Sequence, residues 1–123
     1  MKRRPAYWPP DVDSELEMML VTRLERAGLP TGVGQHPVVT GRQFRFDRAW
    51  PEHMVAVEVM GGVWIKSGHT TGSGIERDCL KASMAAALGW RCLPVTRSMI
   101  EDGTAIELIS QALTPASTGQ EAE

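Results

Sequence analysis

No run of this sequence is apolar for long enough to cross a bilayer. The basic start Met1-Lys2-Arg3-Arg4-Pro5 leads into no apolar signal segment, so a cytoplasmic protein with no membrane partner is expected. Cysteine is scarce. Cys79 and Cys92 lack the CxxC spacing of a zinc or redox site, and buried free thiols are the expectation. The stretch "GHTTGSG" lacks the GKS or GKT ending of a phosphate-binding P-loop, which argues against a nucleoside triphosphate site. There is no internal repeat. Net charge is only -2, so the total charge makes no case for a polyanionic partner.

What is present suits one compact domain: 123 residues, of which 42% are hydrophobic. Charge is unevenly placed. Residues 1–10 carry three positive and no negative charges; residues 41–97 carry eight positive against five negative; residues 98–123 carry five negative and none positive. The middle of the chain is therefore +3 even with its acids counted as charged, a modest footprint for a polyanion.

Three prolines keep residues 1–10, "MKRRPAYWPP", from forming a regular element, and an arm is expected there. Residues 11–114 should form the folded domain and 115–123 a disordered polar tail. "DVDSELEMMLVTRLERAGLP" reads as a helix capped by Asp11, Asp13 or Ser14 and stopped by Gly28, with Leu16, Met19, Leu20 and Leu24 as its buried stripe. Strands are expected at Gln35–Val39, Arg42–Ala49, Met54–Met60 and Trp90–Thr96, the last either at a sheet edge or locally irregular because of Pro94. Ser73 and Glu76 form a capping-box pattern for a helix ending near Gly89, and a last helix should cover Ala105–Leu113 after a separate turn near Met99–Asp102. The other methionines, Met18, Met19, Met54, Met84 and Met99, read as packing residues, and His36 and His53 as exposed. The order predicts an α/β fold: a three-stranded meander joined by a fourth strand through a helical crossover, hence a mixed sheet flanked by helices.

The chemistry concentrates in "FRFDRAWPEHMVAVEVMGG". Pairing its two strands through the Pro-containing turn brings Asp47 near Glu58. Two carboxylates so placed repel unless something positive lies between them. A hard divalent cation, Mg²⁺ or Mn²⁺, suits an all-oxygen set, with the carbonyl of Val59 as a third ligand. The competing reading is ordinary salt bridging of the two acids to Arg45, Arg48 or Lys81.

The segment "FRFDRAWPEHMVAVEVMGGVWIKSGHTTGSGIERDCLKASMAAALGWRCLPVT" resembles the PD-(D/E)XK nuclease superfamily, and within it the small phage and bacterial endonucleases of the very-short-patch-repair-like group. The resemblance runs from about Glu17 to Leu113 and implies a restriction-endonuclease-like αβββαβ core. It implies a metal-dependent endonuclease hydrolysing the phosphodiester bonds of DNA. Asp47 would be the first metal-binding aspartate, Glu58 the second acid, and Glu17 (or Glu15) the first-helix acid that holds a metal-bound water. Lys81 would be a helix lysine replacing the superfamily's strand lysine. Trp64 and His69 match the loop that shapes the site. Lys66, His69, Thr70, Ser73 and Arg77 are the expected contacts to DNA, made through phosphates. One position departs from the pattern: the residue two after Glu58, usually Lys, Glu, Asp or Gln, is Met60, a soft thioether unsuited to Mg²⁺. A degenerate nuclease fold that binds nucleic acid or protein without cleaving is the alternative this departure leaves open. A homodimer is the expected assembly, since so small a nuclease has little surface for two DNA strands.

Overall fold

The computed structural model describes residues 12–39, 41–60 and 72–115. The elements are α1 (Val12–Arg26), β1 (Val33–Pro37), β2 (Arg45–Trp50), a 3-10 turn (Pro51–His53), β3 (Val55–Met60), α2 (Gly72–Ala87), β4 (Arg91–Thr96), α3 (Arg97–Glu101) and α4 (Thr104–Leu113). The sheet order is β1-β2-β3-β4. β1–β2 and β2–β3 are antiparallel, and β3–β4 is parallel across the α2 crossover. This is the mixed α/β sheet flanked by helices that the residue pattern predicts.

Alternation along β3 assigns the two faces. Val55, Val57 and Val59 point to one side, where they meet Leu16, Leu20 and Leu24 of α1 together with Ile100, Ile109 and Leu113. The three α1 leucines are spaced four residues apart, lie on one stripe and are wholly buried. Arg23 fastens α1 to α3 by donating to the carbonyls of Ile100 (2.9 Å) and Glu101 (3.0 Å), the end of a helix where a cation is favoured. The other face is thinner. Phe44, Phe46, Ala49 and Ala56 pack there against Ala85, the one described α2 residue that is fully buried.

Turns follow local chemistry. Gly28 (φ 75°) ends α1, and the Leu29 amide returns to the Leu24 carbonyl at 3.0 Å. Gly89 (φ 95°) ends α2 in the same way, with the Trp90 amide on the Ala85 carbonyl at 3.0 Å. A side chain at Gly32 would place its Cβ 2.5 Å from the Ala49 carbonyl oxygen, so only glycine fits between β1 and β2. Pro94 does sit on the outer strand. The Arg91 amide donates to the Met54 carbonyl, so Arg91, Leu93 and Val95 face β3, and the N–H that Pro94 lacks falls on the open edge.

Several expectations are corrected. Neither cysteine residue is buried: both are free and exposed. Met18 is 68% exposed rather than a packing residue. β1 starts two residues earlier than expected, and α2 begins at Gly72, before the anticipated cap at Ser73. His36 is half-buried, 5.5 Å from the Trp90 ring centroid, and His53 is half-buried as well. The arm at 1–10 lies outside the described residues, as do most of the tail and Trp64, Lys66, His69 and Thr70.

Candidate active site

The site lies where β2 and β3 part. The ladder between them pairs Trp50 with Val55, Ala49 with Ala56 and Arg48 with Val57, and it stops there. The next amide of β3 on that side, Val59 N–H, would lack a strand partner. The Asp47 carboxylate accepts it instead, at 2.7 Å. An N–H and a C=O of one strand residue point to the same side, so the Val59 carbonyl also faces the gap that Asp47 enters.

A local irregularity explains how a side chain comes to lie in the plane of the sheet. Ala49 and Phe46 pack on the α2 face, while Arg48 and Trp50 face α1. Strict alternation cannot place Phe46 and Arg48 on opposite faces, so the chain twists between them, at Asp47. Across the β1–β2 ladder the same position holds Gln35, between the pairs Gly34–Arg48 and His36–Phe46. Gln35 has φ 54°, a left-handed conformation uncommon for a residue other than glycine. The fold thus holds one left-handed residue beside the point from which Asp47 reaches β3.

Glu58 follows on β3, with Ala56 and Met60 on its face. Lys81, brought across by α2, donates to its carboxylate at 2.9 Å. The two side chains are 23% (Lys81) and 25% (Glu58) exposed. The Asp47 backbone amide also donates to Glu58. Burial nevertheless dominates: the Glu58 carboxyl is pushed up to about 7, with the Lys81 charge opposing that rise and the Asp47 charge adding to it. Close by, the Cys92 thiol is pushed up to about 12 by burial of its sulfur and by the Glu58 charge. Although the residue as a whole is exposed, that sulfur is a poor nucleophile.

Glu17 goes elsewhere. It pairs with Arg48 at 3.2 Å on the α1 face, and Arg48 also donates to the carbonyls of Thr31 and Gly32, both at 3.0 Å. Gly34 leaves room for that pair, since a Cβ there would lie 3.0 Å from the guanidinium. Glu15 is exposed on α1. The structure therefore joins Asp47, Glu58, Val59 and Lys81 and sets Glu17 in a separate ion pair. Of the two sequence readings of the acids, the salt bridge is present at Glu58, through Lys81.

Arg77 stands on the same side as Lys81, its guanidinium 5.4 Å from the centre of the Phe44 ring, with Arg42 at 5.9 Å from that ring. Arg45, Arg77 and Lys81 border a shallow hollow of about 270 Å³ that Asp78 also lines. Sequence reasoning gave Arg42, Phe44 and Gln35 no part in the site and considered Arg45 only as a salt-bridge partner of the acids. Only the pairing of β2 with β1 and the seating of α2 bring them together, and no local spacing announces it.

Among the described residues, no three His, Cys, Asp or Glu side chains converge on one point. Asp47 lies near enough to Glu58 for its charge to raise the Glu58 carboxyl, and both carboxylates, like the Val59 carbonyl, offer hard oxygens of the kind a partly hydrated Mg²⁺ takes. No family model matches the chain, no curated protein matches it, and no solved structure matches its fold.

Proposed function

We propose that this chain is a metal-dependent DNA endonuclease that hydrolyses phosphodiester bonds at Asp47 and Glu58. The observation that carries the reading is the Asp47 carboxylate on Val59 N–H, at the point where β2 leaves β3, with the Lys81–Glu58 pair beside it. The resemblance to PD-(D/E)XK nucleases predicts that same convergence. Asp47, Glu58 and the Val59 carbonyl would hold Mg²⁺ or Mn²⁺. A bound ion would polarise the scissile phosphate and lower the pKa of a water ligand. Lys81 stands close enough to Glu58 to offer its charge to a phosphate oxygen in the same place. Arg42, Arg45 and Arg77 extend the positive surface away from the acids, as backbone contacts to DNA require. On this reading the compartment is the cytoplasm, and a homodimer would present one site to each strand.

The second reading, a fold that binds without cleaving, rests on Met60. Its half-buried side chain lines the same groove as Glu58 and brings no charge and no hard ligand to it. One assay separates the two. Purified protein is incubated with duplex, nicked and branched DNA in Mg²⁺, Mn²⁺ or EDTA, beside the Asp47→Asn variant. Metal-dependent cleavage lost in Asp47→Asn is the expected result. Salt-sensitive binding with no cleavage under any metal would favour the second reading.

A further inference from the structure

A groove of about 430 Å³ opens beside the Lys81–Glu58 pair, between α2 and the outer strand β4. That volume falls within the ~300–1,000 Å³ range of small-molecule sites. Its walls are Phe46, Met60, Ala82, Ala86, Trp90 and Pro94, and its charged groups come from Glu58, Asp78 and Lys81. Trp90 is half-buried, held by Phe46 at 4.7 Å between ring centroids and by His36 at 5.5 Å. It is thus a fixed aromatic surface with part of the ring still open. A strand added to the sheet edge does not suit this place, because the outward positions of β4 include Pro94, which has no N–H to give. The groove fits instead a flat, largely apolar body whose adjoining anion reaches Lys81, which stays 23% exposed beside its partner Glu58 and near Asp78. In a nucleic acid, the flat body beside a phosphate is a base.

A paired base stays inside its stack and cannot enter a side groove. We propose that this groove receives one unpaired nucleobase next to the phosphate held at Lys81, so that the substrate is DNA with a single-stranded or extrahelical nucleotide at the cut. The proposal deepens the nuclease reading and rests on it. Small Ala82 and Ala86 on the α2 wall leave the width a ring needs, and Met60 and Pro94 supply apolar contact where a strand lysine or glutamate would have put charge. Met60 is then a recognition residue at the position where the resemblance expects a polar one.

Binding is measured in EDTA with a DNA hairpin whose single bulged nucleotide is 2-aminopurine. The same hairpin fully paired, and one with an abasic residue in the bulge, are the comparisons. The bulged probe should bind about tenfold or more tighter than the paired one, the usual scale of one base stacked on an aromatic side chain. Its fluorescence should change on binding, and the abasic probe should lose the gain. Ala86→Phe fills the groove from an exposed position away from Asp47, Glu58 and Lys81, and should abolish the preference while leaving affinity for paired DNA unchanged. Ala82→Leu, on the same wall, serves if Ala86→Phe does not fold. Equal affinity of the parent for all three probes overturns the proposal, and so does a folded groove-filled variant that keeps the preference. Cleavage is scored separately in Mg²⁺. A parent that prefers the bulge and never cuts keeps the groove assignment and removes the nuclease reading. A parent that cuts paired and bulged DNA alike does the reverse.

Discussion

Replacing Glu58 by Gln measures what the buried carboxylate costs the fold. Glu58 titrates at about 7 in the folded protein against an ordinary 4.5, chiefly because burial strips water from its charged form. At about 1.4 kcal/mol for each pH unit between those two values, the ionised group destabilises the protein by about 3 kcal/mol. The folded chain holds this proton more tightly than the unfolded chain, so stability falls as pH rises. The favourable contribution of protonated Glu58 is whole below the unfolded value of 4.5 and is lost as pH passes through about 7. Glu58→Gln removes the titration and keeps an oxygen that can accept from Lys81. Urea melts over a pH series should therefore superimpose for parent and variant in acid. By about pH 8 they should diverge by about 3 kcal/mol in favour of the variant, on the order of 10 °C in Tm. Saturating Mg²⁺ should narrow that gap, because it stabilises only the parent with its ionised pair of acids. Two curves that run parallel through neutrality would refute the claim that burial outweighs Lys81 at this carboxylate. A gap indifferent to Mg²⁺ would count against the metal site while leaving the burial argument intact.

Three further outcomes follow from the same geometry. Asp47→Ala leaves the Val59 amide without its acceptor and should cost about 1–3 kcal/mol in a denaturant melt. Asp47→Asn restores an acceptor oxygen and should recover most of that stability without recovering divalent binding by calorimetry. At Gln35, whose φ is 54°, Gly should leave stability unchanged or raise it, whereas Val should lower it by about 1–2 kcal/mol. Met60→Glu adds a hard ligand beside Glu58 and should tighten Mg²⁺ binding. If the missing polar group limits catalysis, cleavage should rise ~10²–10⁴-fold, and no change in either quantity would leave Met60 an apolar contact only.

The fold was largely legible because its signals are local. The leucine stripe of α1, the valines of β3, Gly28 and Gly89 as stops, and Pro94 on an edge each follow from a residue's own stereochemistry. Asp47 beside Glu58 was legible for a similar reason: a hairpin with a short turn fixes register, and register fixes which side chains meet. What escaped is long-range. That Asp47 would accept from Val59 N–H depends on β2 ending its ladder at Arg48, where a left-handed Gln35 stands across from Asp47 in β1. That Arg48 would hold Glu17 on the far face depends on a glycine at position 34 leaving space between them. Cys79 and Cys92 were misjudged because apolar residue type stood in for burial: both residues are exposed, although the Cys92 sulfur itself is shielded.

The thinner packing on the α2 face bears on how the site is built. A lysine at position 60 would be fixed by the β3–β4 ladder, which pairs Met60 with Thr96. Lys81 comes instead from a helix that fully buries only Ala85 among its described residues and leaves Ile75 and Leu80 open to solvent. Its position is therefore set as much by its own ion pair with Glu58 as by packing beneath it. The desolvated carboxylate, unfavourable for stability above neutrality, is also what holds the cation of the site in place. It follows that Glu58 and Lys81 cannot be assigned separate energies by single substitutions, and a double-mutant cycle on this pair should show strong non-additivity. The same weakly packed helix also carries one wall of the groove, so Lys81 and that open wall belong to one element.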